Sequence, residues 1–574
     1  MKNFKRYLAL ILSMTMLLSM VACGSKTEEK ENTSTETVET EDTSQTEEIN
    51  YDPFGAYEET VTVEIGRVQP DRGIDFPEGD SYENNPVNDY IKEKLNVEID
   101  YIWEGLDSGE DYNRTVSLSI ASEEIPDIMW LNDQAILDQL VENDLVADLT
   151  EVYEKYASDD VKAAYESAPT DVLGERASAG GKLIALPTST GGTLAHLIYI
   201  RQDWVDALGL KLDEDGNDMI TREEIEMVAK AFVDNDPGNS GNPVGLAVYP
   251  NLNMDANTAF TSFNYPFGGF YRLWFKGDDG TVHSGSVAPE TKEILSWWHD
   301  MFEKGLLDPQ YGVTTWDTIL EMLVNNRLGI VSGEGSAASW MLLNTLQADP
   351  NAYFKAYALD DGTGKTTWAA WNSVSRWVVV SKDCEHPEVA VKLLNVMLEM
   401  NSNGKELMAE NPEIKDYKEN YSLLYEDLRP LYIDLTMPGG RSAYGEVMAC
   451  INGEIAYEEL LEANQKAYDV AVKYQKDPSS LTADERGLYM MYMEGYRVSD
   501  VITSSGNLQV VSPLYGRTTE TMSSKLADLN KLEEEAYVKI ITGEEPIDYF
   551  DTFVEEYNDR GGAAICEELA ELLK

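Results

Sequence analysis

The chain of 574 residues is short of positive charge: Lys+Arg 44 against Asp+Glu 104 give a formal net charge of -60. A general nucleic-acid binder needs a cationic surface to displace phosphate counterions, so that class is excluded. Histidine is scarce, four residues in all, and no H-E-x-x-H, G-x-S-x-G or Walker loop occurs. Zinc-protease, serine-hydrolase and P-loop chemistry therefore have no foothold. Beyond Cys23 the cysteines are Cys384, Cys450 and Cys566, an odd number far apart, which implies no disulfide framework. Their expected role is as buried small hydrophobes. After the first 25 residues no window is long and apolar enough to span a bilayer. What is present is 43% hydrophobic and 10% aromatic residues, enough for large cores.

The N-terminus reads as a sorting signal. Lys2, Lys5 and Arg6 precede a short apolar run, Tyr7 to Ala22, which is too short for a transmembrane helix and right for a signal peptide over 1–22. Met20-Val21-Ala22-Cys23-Gly24 resembles a bacterial lipobox, in which the Cys thiol receives diacylglycerol before cleavage. The alternative is an ordinary cleaved signal with Cys23 incidental. From 23 to 60 the chain is Glu, Thr and Ser with almost no apolar residue, and it is expected to be a disordered, solvated tether.

Beyond the tether the hydrophobic pattern changes. Val61 to Val68 alternates with period two, Pro86 to Leu95 reads as a helix, and Val97 to Trp103 as a second strand. Asp111 to Ser122 reads as a helix and Pro126 to Leu131 as a third strand. Strands spaced by single helices predict βαβ units and a mostly parallel sheet. A helix is predicted from Pro387-Glu388 through Leu398. After about residue 440 the pattern is largely helical, with amphipathic stretches at Leu526 to Ile541 and Ala563 to Leu573.

Several segments taken in order carry a family resemblance: Ile120-Ala121-Ser122-Glu123-Glu124-Ile125-Pro126-Asp127-Ile128, Gly181 to Pro187, Ile200-Arg201-Gln202-Asp203-Trp204, His386 to Asn395, and Ala536 to Gly543 with Tyr557 to Gly562. In this order the chain resembles the family 1 extracellular solute-binding proteins, and among them the LplA-type lipoproteins of ABC oligosaccharide importers. The resemblance implies an α/β, two-lobed, type II periplasmic-binding-protein-like fold with a hinge and extra C-terminal helices. Lobe 1 is expected over 61–175 plus about 380–430, and lobe 2 over 176–375 plus about 435–574. Crossing strands are expected near Glu175 to Lys182, near Trp371 to Val380, and after Leu428. The lobes would close over ligand.

The sharpest local motif is Asp213-Glu214-Asp215-Gly216-Asn217-Asp218-Met219-Ile220-Thr221-Arg222-Glu223-Glu224. It places oxygen donors Asp213, Asp215, Asn217, Met219 (carbonyl), Thr221 and Glu224 at the spacing of an EF-hand-type loop for structural Ca²⁺. Asp218 stands where Gly is preferred, though Asp tolerates left-handed geometry. The competing reading is a capping box, Thr221 with Glu224, opening a helix from Arg222 to Phe232. The resemblance adds that relatives that bind alginate carry a structural Ca²⁺ in this region. A second acidic turn, Asp234 to Asn239, is a weaker metal candidate.

For a sugar ligand the informative residues are aromatic, because ring C–H faces stack on Trp and Tyr while hydroxyls need polar partners. The candidates are Trp103, Trp130, Tyr265, Trp274, Trp340, Trp371 and Trp377, with Asp255, Asn372, Arg376, Glu83 and Asn84 as polar partners. About half of the aromatics are expected to be core, as is the pair Trp297-Trp298. A secreted glycosidase needs only two facing carboxylates, and a lipid-anchored peptide receptor would share the tether. The expected function is therefore oligosaccharide capture without catalysis. A neutral sugar is favoured by the acidic field, and the partners are ABC permease subunits, with a lipid anchor at the extracellular face of the membrane, a monomeric state and no nucleic acid.

Overall fold

A computed structural model describes residues 51–69, 76–106, 110–168, 171–189, 195–250, 252, 256–277, 279–370, 374–402, 407, 409–421, 425, 427–431, 433–436, 441–514 and 518–573. The expected signal segment, Cys23 and the expected tether as far as residue 50 lie outside them. The last ten residues assigned to the tether, 51–60, are instead docked on the first lobe. Phe54 and Tyr57 pack on its core, Tyr57 donates from its hydroxyl to Glu388 at 2.9 Å, and Lys392 donates to the Gly55 carbonyl at 2.6 Å. Three aromatics, Tyr51, Phe54 and Tyr57, supply the burial that a Glu/Thr/Ser segment lacks. Among the described residues no helix is long and apolar enough to cross a membrane.

In chain order the strands begin with β1 (Val61–Gln69), β2 (Val97–Leu106), β3 (Ile128–Leu131), β4 (Ser178–Ala179), β5 (Lys182–Leu183), β6 (Leu186–Pro187), β7 (Leu197–Arg201) and β8 (Met219–Ile220). They continue with β9 (Trp274–Lys276), β10 (Val282–Ser284), β11 (Ile330–Gly333), β12 (Phe354–Leu359), β13 (Thr366–Ala369), β14 (Trp377–Val380) and β15 (Leu508–Val511). The period-two pattern of β1 is realised: Val61, Val63 and Ile65 are buried while Thr62 and Glu64 are exposed. The helix Pro86–Leu95 starts at Asn85, whose side chain accepts from the Val87 and Asn88 N–H groups, and buries Val87, Ile91 and Leu95 at helical spacing.

Two sheets organise two lobes. The first has the order β2-β1-β3-β14-β6 and the second β11-β7-β12-β8. The first core draws on residues from Val61 to Leu186 and from Val374 to Ile433. The second lobe's cores draw on the stretch after Leu197 and on C-terminal residues from Met490 to Leu569. β1 with β2, β1 with β3, β12 with β8 and β13 with β15 meet the parallel expectation. β14 runs antiparallel to β3 and β6, and β7 antiparallel to β11 and β12. A strand's sense is set by the end at which the chain enters: β14 and β7 start at the lobe junction, whereas their neighbours finish there.

The first crossing lies later than Glu175–Lys182. That stretch is a helix end and the β4–β5 hairpin, and β6 still pairs with β14, so the chain leaves the first sheet only after Pro187. The three connections lie side by side. The Thr188 N–H donates to the Arg376 carbonyl at 2.9 Å, the Ser189 N–H to the Asp434 carbonyl at 2.8 Å, and the Thr436 N–H to the Ser189 carbonyl at 2.9 Å. The C-terminal region is helical, with helices Glu462–Lys476, Glu520–Ile541 and Ala563–Leu572 among others. The exception is β15, which pairs in parallel with β13.

Candidate functional site at the lobe junction

The register of the sheets identifies the surfaces that meet at the crossings. In the first lobe β1 and β3 end there, and β14 begins there, with Trp377 opposite Leu131. This brings Arg376 and Trp130 together, the guanidinium carbon 5.9 Å from the indole centroid. Arg376 also lies 3.9 Å from the Asp434 carboxylate, which pairs with Arg429 as well. Arg67, at the end of β1, is buried between aromatic faces, 3.4 Å from the Tyr82 centroid and 4.8 Å from that of Tyr101. Carboxyl ends of strands at such a junction are where open α/β folds place ligands.

On the second lobe, Leu197 of β7 pairs with Gly333 of β11, which brings His196 level with Glu334. Around them the Tyr199 hydroxyl donates to the Glu334 carbonyl at 2.8 Å, and the Glu334 N–H donates to Asn257 Oδ1 at 3.0 Å. His196 is buried, its ring edge-on to Tyr265 at 4.8 Å, and its Nδ1 has no hydrogen-bond partner among the described residues. Burial lowers its pKa from 6.5 to about 3, so near neutrality the imidazole is uncharged. It can donate and accept one hydrogen bond but is poorly placed to shuttle protons.

Next to Asn257 in the chain, Thr258 is fully buried with φ 54. A β-branched residue in the left-handed region is strained, and such strain collects at functional sites. Its N–H donates to the Ser332 carbonyl at 3.0 Å, while its hydroxyl has no partner among the described residues, nor have those of Thr188 and Ser189 on the first crossing. The junction is thus lined with buried, uncharged hydrogen-bonding groups next to aromatic rings.

Of the residues singled out from sequence, Tyr265 and Arg376 are brought to this junction. Trp130 is also there but is 4% exposed and stacked on Tyr112 at 4.7 Å, its ring committed to the first core. Trp274, in β9, and Trp377, whose Nε1 donates to the Arg176 carbonyl at 2.8 Å, are core residues rather than ligand platforms. Trp298 is core too, donating to Asn264 at 2.9 Å. Trp340 is 45% exposed and stacks in parallel on Trp316 at 5.9 Å, its Nε1 donating to Ser336 at 3.1 Å. Glu83 and Asn84 are used locally, bonding Ser81 and the Gly79 carbonyl. Asp255, Trp371 and Asn372 lie outside the described residues, as does the side chain of Trp103. Sequence reasoning passed over His196, Asn257, Thr258 and Glu334. The rarity of histidine was the one signal that could have drawn attention to His196.

The acidic loop has the turn a cation loop needs: Gly216 and Asp218 both have positive φ, at 72° and 62°. Its donors are hard oxygens, which suit Ca²⁺. As placed they serve the chain itself. Glu224 accepts from the Asp213 N–H at 3.1 Å and the Thr221 N–H at 2.8 Å, completing the capping box of the helix Arg222–Asn235. Asp213 accepts from the Asp218 N–H at 3.1 Å and lies 3.5 Å from Lys355 Nζ. Asn217 accepts from the Met219 N–H and donates to Asp215. Asp218 is gripped by both Arg497 nitrogens, at 2.7 and 2.8 Å. Burial pushes the Asp213 carboxyl up, with Asp218 adding and Lys355 opposing. Among the described residues no group of three or more His, Cys, Asp or Glu side chains is gathered to hold a metal ion. In the second acidic turn the Asp236 carboxylate accepts from Ser240 and Gly241 N–H groups at 2.9 and 2.7 Å.

Comparison with known proteins agrees with this architecture. Residues 73–400 match the family described as bacterial extracellular solute-binding protein. Lipoprotein LipO of Bacillus subtilis is 21% identical over 393 residues, covering 65% of this chain and 68% of that one. An HMO-binding, ABC-transporter-associated solute-binding protein from Bifidobacterium longum infantis superposes with TM-score 0.52 and 16% identity, over 89% of this chain and 98% of the other. A second extracellular solute-binding protein from Bifidobacterium longum subsp. infantis gives TM-score 0.54 and 14% identity over 90% and 99%. At these identities the two structures speak for the fold.

Proposed function

Because the chain belongs to the bacterial extracellular solute-binding proteins, we propose that it captures an oligosaccharide between its lobes and hands it to the membrane subunits of an ABC importer. The observation that carries this reading is the junction: neutral His196, strained Thr258 and Asn257 offer uncharged hydrogen-bonding groups beside Tyr265, where three adjacent connections join the lobes. Sugar hydroxyls need such groups, and the buried Tyr265 ring backs His196. The HMO-binding structure, which shares this fold, supports an oligosaccharide as the ligand. The net charge of -60 favours a neutral one, since it repels polyanions. Binding energy from both lobes would stabilise the closed arrangement.

The anchor is proposed to be a diacylglycerol thioether with further palmitate on Cys23, holding a monomer at the outer face of the cell membrane. The likeness to a named lipoprotein supports it. In a one-membrane host, palmitate label should enter the wild type and be lost in Cys23→Ser. For the loop Asp213–Glu224 we propose structural Ca²⁺, supported by its donor chemistry and its left-handed Asp218; binding would turn Asp215 and Glu224 from their present partners toward the ion. Chelator should then lower the melting temperature and Ca²⁺ restore it. An unchanged melt would leave the loop a capped turn held by Lys355 and Arg497.

Titration calorimetry of the full chain against neutral and acidic oligosaccharides, with product analysis, tests the main reading. Saturable one-to-one binding of a neutral oligosaccharide without turnover is expected. Hydrolysis of the sugar, or no binding across the panel, would overturn it.

A further inference from the structure

A cavity of about 710 Å³ lies in the second lobe, walled by the β9–β10 hairpin, the start of the helix Pro289–Glu303 and the helix distortion at Asn558–Gly562. None of its lining residues belongs to the three crossings. Its size is that of a small-molecule site, and its wall differs in kind from the junction. The rings of Phe270 and Phe275 form its aromatic side, 5.2 Å apart, with His283 stacked on Phe275 at 5.8 Å. Val282, Val287 and Pro289 are aliphatic. Ser284 already accepts the Ser286 N–H, so few polar groups remain for a polyhydroxylated guest.

Among the described residues only one lining side chain carries a fixed charge, the carboxylate of Glu290. Its stem lies across Gly268, where a Cβ would come within 3.1 Å of Glu290 Cγ, and it has no ion-pair partner among the described residues. Among the described residues no Lys or Arg lines the cavity. The helix start behind Glu290 carries partial positive charge, which this first-turn carboxylate offsets, and Pro289 removes one N–H that would attract an anion. The wall at Asn558–Gly562 is a kink between two helices, at which Gly561 takes φ 142.

We propose that this cavity binds a small organic cation with an apolar body. The body fills the space against Phe270, Phe275 and Val282, and the cationic head sits between the ring faces and Glu290. An acidic molecule of net charge -60 concentrates cations around it, so charge complementarity acts both at long range and at the site. The site is independent of oligosaccharide capture at the junction.

The test uses benzyltrimethylammonium, benzyl alcohol and benzoate as probes in titration calorimetry on the full chain. The cation should bind saturably and about fivefold or more tighter than either other probe. Glu290→Gln, an exposed change that spares packing, should weaken the cation by a similar factor, and Phe275→Ala should weaken all apolar binding. The probe should also slow alkylation of Cys566, which lines the cavity. No saturable binding of the cation, equal binding of benzoate or benzyl alcohol, or full affinity in Glu290→Gln would each overturn the proposal. Oligosaccharide affinity should be unaltered in Glu290→Gln.

Discussion

Trp130 and Trp340 have the same side chain and opposite duties. Trp130 is sealed against Tyr112 in the first core, whereas Trp340 shows nearly half its surface beside Trp316. Trp130→Ala should cost about 3–5 kcal/mol of stability, read by denaturant unfolding. Trp340→Ala should leave stability within about 1 kcal/mol. A titratable residue adds a second expectation. His196 is neutral in the fold with a pKa near 3, whereas an unfolded histidine titrates near 6.5. The unfolded state therefore binds the extra proton between those values, so this contribution is complete above pH 6.5 and is lost as pH falls toward 3. The slope is at most about 1.4 kcal/mol per pH unit. Unfolding at pH 7, 5.5 and 4.5 should show a shallower acid loss in His196→Gln than in the wild type. Sequence spacing could not have supplied these duties: burial of an indole depends on what the fold brings to its face.

At the level of elements, local patterns were legible where one segment settles its own structure. The alternation of β1, the Asn85-capped helix, the helix Glu388–Ser402 and the capping box at Thr221 all rest on contacts within a few residues. Strand direction and the first crossing depended on partners far away in sequence, and there the reading moved: the segment near Glu175 became a hairpin, and β14 became antiparallel. The π-turn Met491–Tyr496 is another element without a local signature. It brings Gly495 so close to the Glu334–Gly335 turn that a Cβ would lie 1.9 Å from the Gly335 carbonyl oxygen and 2.6 Å from the Tyr199 hydroxyl. Gly495→Ala should therefore cost about 2–3 kcal/mol through overpacking. Because Tyr199 and Glu334 border His196, the same change should weaken oligosaccharide binding. A melt and a titration on the same sample check both.

For the whole molecule, on the proposed function, relative motion of the lobes about the crossings would follow ligand binding. Solution scattering should show a smaller radius of gyration with saturating oligosaccharide and no change with a sugar that fails to bind. The charge of -60 is a second whole-molecule property: self-repulsion destabilises the compact state, so raising ionic strength from low to roughly physiological should increase the melting temperature. Composition alone determined the acidic surface, and short-range patterning determined the first parallel strands, the helical C-terminal region and the order of segments that marks the family. Only the tertiary structure decided which tryptophans are core, where the chain crosses between lobes, and that His196 and Tyr265 meet. Those outcomes are set by pairing and burial between residues distant in the chain, and no local spacing encodes them.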